Sequence, residues 1–242
     1  MLIIVQARLG STRLPGKVMK PFAGKCSVLT FQLERLAYAN TSYAVAAPNV
    51  KESKKIMSAT SGANTDTFMA GIENDVLGRY FAVAIAMEGG TEIVVRITSD
   101  CPLIDVSCLE KMKEIFLQKK LDYISNCHPI RYVPSGFDIE MFSLSALEKA
   151  NYYARTDEER EHVTPWIYHN LKSKSVAVPG AGMNVNVNEK FSIDTKADYE
   201  KIRFLGKKLY KKFKFDFDMK DVLDYADKYA LELAAIENAN KT

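Results

Sequence analysis

Paired cysteine, histidine and long apolar runs are all scarce in this chain, and each scarcity removes a class of function. The four cysteines, Cys26, Cys101, Cys108 and Cys127, form no Cys-x-x-Cys pair, and the three histidines show no zinc-type spacing. A structural zinc site is therefore not expected. Unpaired thiols suit a reducing compartment, so the expected location is the cytoplasm. The opening apolar run, residues 2–5, is too short for a signal or membrane segment, and no membrane contact is expected. Net charge is small as well, a formal +3, which gives no reason to expect nucleic acid as a partner. The one basic concentration, residues 201–214, carries Ile202, Leu205 and Leu209 at helical spacing and reads as the solvated face of a helix. There is no repeat and no long linker. What remains, with 47% hydrophobic and 26% charged residues in 242, is an ordinary globular composition with chain enough for one large domain.

The most informative stretch is residues 2–17, LIIVQARLGSTRLPGK. An apolar, β-branched run stopped by Gly and Pro predicts a buried strand followed by a loop. The loop holds Arg8, Arg13 and Lys17 together with Ser11, Thr12, Gly10 and Gly16. That set suits polyphosphate, because backbone must come close to an anion to bind it through N–H groups. It is not a Walker A loop: five residues separate Gly10 from Gly16, and Val18 stands where that motif needs a Ser or Thr to hold magnesium. A metal serving this loop must be held by carboxylates elsewhere in the chain.

Residues 28–39 predict a helix capped by Ser27, 43–47 a strand, 51–59 a polar helix and 64–68 a short strand. This alternation argues for a parallel sheet with helices on both faces. Residues 73–87 predict a helix with Asp75 at its start. Asp75 and Arg79 are spaced for an i, i+4 ion pair and are equally open to a ligand role. Residues 92–97 form the clearest central strand, running into Ser99 and Asp100. In open α/β sheets ligands bind beyond the carboxyl ends of strands, so Asp100 and the loop at 8–17 are expected on one rim, with Asp100 a candidate metal ligand.

Asp105 is the expected cap of a helix over 106–118, and 122–125 is another strand. Residues 128–142 alternate Phe137, Ile139 and Met141 against Asp138 and Glu140. The alternation predicts a half-buried strand with both carboxylates on its open face, in a segment that looks inserted beyond the core sheet. A polar link at 151–160 leads to an expected helix over 161–170. Gly180 and Gly182 mark a turn, and a strand ending at Ile193 delivers Asp194, the second candidate metal carboxylate. Asp194 or Thr195 caps the next helix, 195–209. A final amphipathic helix over 220–234 packs Val222, Leu223, Tyr225 and Leu231.

In order along the chain, QARLGSTRLPGKV, ENDVLGRY, RITSDCPLID, GFDIEMFS, REHVTPWIY and FSIDTKADYE resemble the successive motifs of the cytidylyltransferase family that includes the spore-coat polysaccharide biosynthesis proteins. That family is similar in turn to the enzymes making CMP-3-deoxy-manno-octulosonate and CMP-sialic acids. The resemblance implies a nucleotide-diphospho-sugar-transferase-like α/β fold: a mostly parallel Rossmann-like sheet flanked by helices, a single domain over 1–242 with a small inserted acceptor and dimerisation lobe near 128–175. It also implies a reaction, CTP plus a sugar or sugar acid giving CMP-acceptor and pyrophosphate, in surface polysaccharide biosynthesis. Carried onto this chain, Arg8, Gly10, Ser11, Arg13 and Lys17 would hold CTP, joined by Asp75, Arg79 and Ser99. Asp100 and Asp194 would coordinate Mg2+, and with Arg13 and Lys17 would form the catalytic group. Arg131, Glu140, Arg160 and His162 would meet the acceptor. Family members commonly pair through the lobe, which implies a homodimer. Ser99 departs from the Gly or Asp common at its position, and Phe137 from Leu or Val.

The expected chemistry is in-line attack of an acceptor hydroxyl, phosphate or phosphonate oxygen on the α-phosphorus of CTP, which relies on alignment and charge stabilisation. A glycosyltransferase of related fold is the main rival. Such enzymes usually carry Asp-x-Asp after a strand, and Ser99-Asp100-Cys101 lacks it. A nucleotidyltransferase using UTP or GTP and a non-catalytic nucleotide-binding protein are the other readings.

Overall fold

Apolar, β-branched runs build the centre of the sheet, and a computed structural model shows their order; it describes residues 1–61, 65–87, 92–177 and 185–239, with side chains to residue 230. Strand β1 is Leu2–Gln6, helix α1 Val28–Tyr38, β2 Tyr43–Ala47, α2 Lys54–Thr60 and β3 Asp66–Met69. There follow α3 Val76–Ala86, β4 Ile93–Thr98, α4 Leu109–Lys119 and β5 Tyr123–Ser125. The chain continues with β6 Glu140–Ser143, α5 Leu144–Tyr153, α6 Asp157–His162, α7 Pro165–Asn170, β7 Ser173–Ser175, α8 Lys196–Phe213 and α9 Met219–Ala239. The seven strands are ordered β3-β2-β1-β4-β6-β5-β7. Only the pairings of β6, with β4 and β5, are antiparallel. This is the expected mostly parallel α/β sheet.

Helices cover both faces, which is why β1, β2 and β4 read as continuous apolar runs. On one face Ile3, Val5 and Val95 pack with Leu29 and Leu33 of α1, Met112 and Phe116 of α4, and Ile202 and Leu205 of α8. On the other, Leu2, Ile4 and Val94 meet Leu77 and Tyr80 of α3, Leu147 of α5 and Ile167 of α7. Each such aliphatic side chain, fully buried, contributes about 1.5–3 kcal/mol. Ser27 caps α1 as expected, in a reciprocal capping box with Thr30.

Five expectations need correction. The strand near 140 is not beyond the core sheet: β6 hydrogen-bonds between β4 and β5. Its second face is covered, so Glu140 is 7% exposed and does not lie on an open face. The polar link at 151–160 is the end of α5 and most of α6, whose acidic first turn, closed by a Thr156–Glu159 capping box, favours a helix start. Asp105 does not cap α4. Its Oδ1 accepts from Ser107 and its Oδ2 from Met219 N, the first residue of α9. Residues 191–193 form no strand; a single bridge joins Lys190 to Ser135. The turn at Gly180–Gly182, the start of the strand at Asn64 and the side chain of Leu231 lie outside the described residues.

Candidate active site

The rim where β1 and β4 end is also where two distant segments meet. Gln6 and Thr98 are register partners at the ends of the two strands, so the 8–17 loop and the Ser99–Asp100 turn start side by side. Gly16, at φ +65°, takes the left-handed conformation that turns the loop into a short 3-10 helix beginning at Lys17. From the other end of the chain, Phe191 N donates to Ser135 O at 2.6 Å and Ile193 N to Asp100 O at 2.9 Å. The approach is close enough that a Cβ on Gly136 would lie 2.5 Å from the backbone of Phe191. Thr195 caps α8 in a capping box with Asp198, so the Asp194 carboxylate is spared that work.

Asp100 and Asp194 converge on one ammonium. Lys17 Nζ donates to Asp100 Oδ2 at 2.7 Å, to Asp194 Oδ1 at 3.1 Å and to Ile193 O at 2.6 Å. Arg13 reaches Asp194 at 3.2 Å and Lys190 reaches it at 2.9 Å. Burial alone would raise the Asp194 carboxyl, but hydrogen bonds from Lys190 and Lys17 outweigh it and hold the group below the usual aspartate range. A cavity of about 260 Å³ opens here, lined by Arg8, Ser11, Arg13, Lys17, Arg79, Ser99, Asp100, His162 and Asp194 together with Gln6, Thr98 and Arg96. A second cavity of about 240 Å³ shares Arg96, Thr98 and His162 with the first and continues past Cys127, His128, Arg131, Asp138, Glu140 and Tyr168.

The structure thus gathers most of the expected nucleotide residues and leaves others outside. Arg8 faces Glu73 and Glu161 at 3.8 and 4.0 Å, and Ser11 Oγ accepts from Leu14 N at 3.4 Å. Arg79 is buried, with Nη2 donating to Glu73 O at 3.1 Å. Its guanidinium forms no ion pair with the Asp75 carboxylate, contrary to the i, i+4 expectation. Asp75 instead caps α3 through Gly78 N and pairs with Arg160 at 2.6 Å; neither Asp75 nor Arg160 lines the two cavities. Gly10 lies in a neighbouring recess with Leu9, Pro48 and Glu73. Arg131 makes a two-pronged pair with Asp138, at 2.6 and 3.3 Å. Both oxygens of Glu140 are engaged, by Arg96, by Tyr123 OH at 2.7 Å and by Thr164 Oγ1 at 2.6 Å.

Sequence reasoning passed over Arg96 and Gln6. Arg96 is the one charge inside an otherwise apolar strand, IVVRIT; its Nε is sequestered without a partner among the described residues, as is Gln6 Oε1. A charged residue interrupting a central strand was the available signal, since burying it costs too much unless it has a partner or a task.

A cationic loop and two carboxylates, one just beyond β4 and one just before α8, line one cavity at the rim of a mostly parallel sheet, an arrangement suited to a nucleotidyltransferase. The particular family follows from comparison: residues 2–222 match the model of the cytidylyltransferase family, and the chain belongs to that family. It is similar to the spore coat polysaccharide biosynthesis protein SpsF of Bacillus subtilis, 30% identical over 86% of this chain and 86% of that one. Among solved structures it is similar to a cytidylyltransferase from Leptospira borgpetersenii, with a TM-score of 0.83, 32% identity and 94% of each chain covered. The fold is shared with a CMP:2-keto-3-deoxy-manno-octonic acid synthetase complexed with CTP, at a TM-score of 0.58, 18% identity, and 84% and 97% coverage. Among the described residues no helix is long and apolar enough to cross a membrane.

Proposed function

We propose that this cytidylyltransferase activates a sugar or sugar acid for surface polysaccharide biosynthesis, with Mg2+, in the cytoplasm and as a homodimer. The observation that carries the reading is the convergence of Lys17, Arg13, Asp100 and Asp194 in one cavity. Arg8, Ser11, Arg13 and Lys17 line that cavity and would hold the triphosphate, with Arg79 and Ser99 on its wall. No group of three or more His, Cys, Asp or Glu side chains among the described residues makes an all-protein metal site. A pair of carboxylates fits Mg2+, which commonly takes one or two together with substrate phosphate oxygens. Held by Asp100 and Asp194, the ion would supply polarisation of the α-phosphorus.

The chain's own groups do the rest. Lys17 and Arg13 offset charge growing on the α-phosphate and the departing pyrophosphate, and the second cavity holds the acceptor against the first, with Arg131 and His162 on its wall and Glu140 as an anchor beneath. The SpsF relative supports the polysaccharide setting and the CMP-sugar-acid synthetase of like fold supports the acceptor class.

The test is pyrophosphate release from CTP and Mg2+ with a panel of sugar acids, sugar phosphates and phosphonates. Asp100→Ala is expected to abolish it; near-wild-type turnover in that variant would sink the metal assignment, and turnover of nucleotide-sugar donors alone would favour a glycosyltransferase.

A further inference from the structure

The two carboxylates already share a cation, and it belongs to the chain. An ammonium has three protons to donate, and the three oxygens around Lys17 Nζ, from Asp100, Ile193 and Asp194, take all of them at 2.6–3.1 Å. The Lys17 side chain is 12% exposed. Arg13 and Lys190 reach Asp194 but not Asp100, so among the described residues Lys17 is the cation that both carboxylates share. Two carboxylates brought this close oppose each other unless a cation offsets them. Lys17 Nζ fills the position between Asp100 Oδ2 and Asp194 Oδ1, where a divalent ion bridging the two aspartates would sit. A Lys17 that contacts phosphate must leave them.

We infer that Lys17 and the divalent cation compete for the Asp100–Asp194 pair, so that metal enters together with the triphosphate. The nucleotide gives the Lys17 ammonium another anion to meet, and the pair is released to the metal. Nucleotide and metal then strengthen each other's binding, reciprocally, through this one side chain. The inference rests on reading Asp100 and Asp194 as metal ligands and adds an order of events to it.

The experiment titrates Mn2+ alone, without nucleotide, by electron paramagnetic resonance against the wild type, Lys17→Met, Lys17→Gln, Lys190→Met and Arg13→Met, each checked for folding by thermal melting. Competition predicts Mn2+ affinity tighter by about tenfold or more in both Lys17 variants. Lys190→Met and Arg13→Met remove a charge from Asp194 without freeing Asp100, and should gain much less. Equal tightening in all variants, or none in the Lys17 pair, overturns the proposal.

A wild-type measurement covers the case of a variant that does not fold. Acylation of the Lys17 amine, read by mass spectrometry, should rise as Mn2+ saturates the site, and labelling indifferent to bound Mn2+ counts against competition. Adding Asp100→Asn to Lys17→Met separates the two layers. A tightened Mn2+ site that survives without Asp100 refutes the metal assignment itself. Mn2+ binding that needs Asp100 and ignores Lys17 refutes the competition alone.

Discussion

Arg96 and Glu140 face each other as register partners on β4 and β6; Arg96 lines both cavities and Glu140 the second alone. Burial would raise the Glu140 carboxyl; the Arg96 charge and the hydroxyls of Thr164 and Tyr123 outweigh it, so the group sits below its ordinary value and stays ionised. A buried pair of this kind is weak evidence for net stability, but removing one partner strands the other charge. Glu140→Gln is therefore expected to cost about 3–5 kcal/mol in urea unfolding, with part recovered in Glu140→Gln combined with Arg96→Met. An additive double variant would show that the two do not act as a pair. The place of Asp100 on the rim was legible because it follows the strand β4; Asp194 reaches the same cavity from a segment that forms no strand, so it arrives there for a different structural reason. Glu140 was misread as open because a period of two says which residues share a face and nothing about what covers the other one.

At the level of elements, α8 does two jobs from its first turn. Asp198 Oδ2 accepts from Asp194 N at 3.0 Å, Thr195 N at 2.8 Å and Lys190 Nζ at 2.7 Å, so the helix cap also fixes the backbone of Asp194. Burial would raise the Asp198 carboxyl, and the hydrogen bonds from Lys190, Thr195 and Asp194 bring it down to about 2 from an ordinary 3.8. Because the folded value is the lower, this stabilisation is present above pH 3.8 and is lost as the pH falls toward about 2. Melting temperature should fall through that window in the wild type and fall less in Asp198→Asn. Thr195→Ala should cost about 1 kcal/mol as a lost cap, and it should lower turnover beyond what that loss of stability explains. Turnover unchanged in Thr195→Ala would separate the cap from the site. β1 and β2 could be read from sequence because each is an apolar run closed by a turn, and β4 although Arg96 interrupts its run. The short helix α6 could not, because its polar surface residues carry a helix cap and no apolar stripe, whereas α7 falls inside the helix expected over 161–170, which breaks at Val163.

Across the whole molecule the site depends on how the chain's far end is tied to its middle. Arg35 of α1 is fully buried and donates to Ile104 O, Phe215 O and Phe217 O, at 2.7–2.8 Å in its closest bonds, while its guanidinium lies 3.4 Å from the Phe217 ring centre. Burial lowers its pKa, to about 10, which leaves it charged at neutral pH. These bonds, with Asp105 accepting from Met219 N at 3.1 Å, hold the entry to α9 against the turn that follows β4, and that same turn carries Asp100. Nothing in a helical pattern such as VLTFQLERLAY marks the arginine as interior, since its partners are carbonyls far along the chain. Arg35→Met fills similar space but leaves three carbonyls without their donor, each costing about 1–3 kcal/mol if it stays dry. The variant should lose several kcal/mol in urea, and amide exchange should quicken first in the opening turns of α9 and at residues 101–105. Since Ile193 N is bonded to Asp100 O, loosening that turn also loosens the Asp100–Asp194 pair. Arg35→Met should therefore weaken turnover at temperatures where the protein is still folded, although Arg35 lines neither cavity. Full turnover alongside rapid α9 exchange would show that the C-terminal helix stabilises the fold without positioning the site.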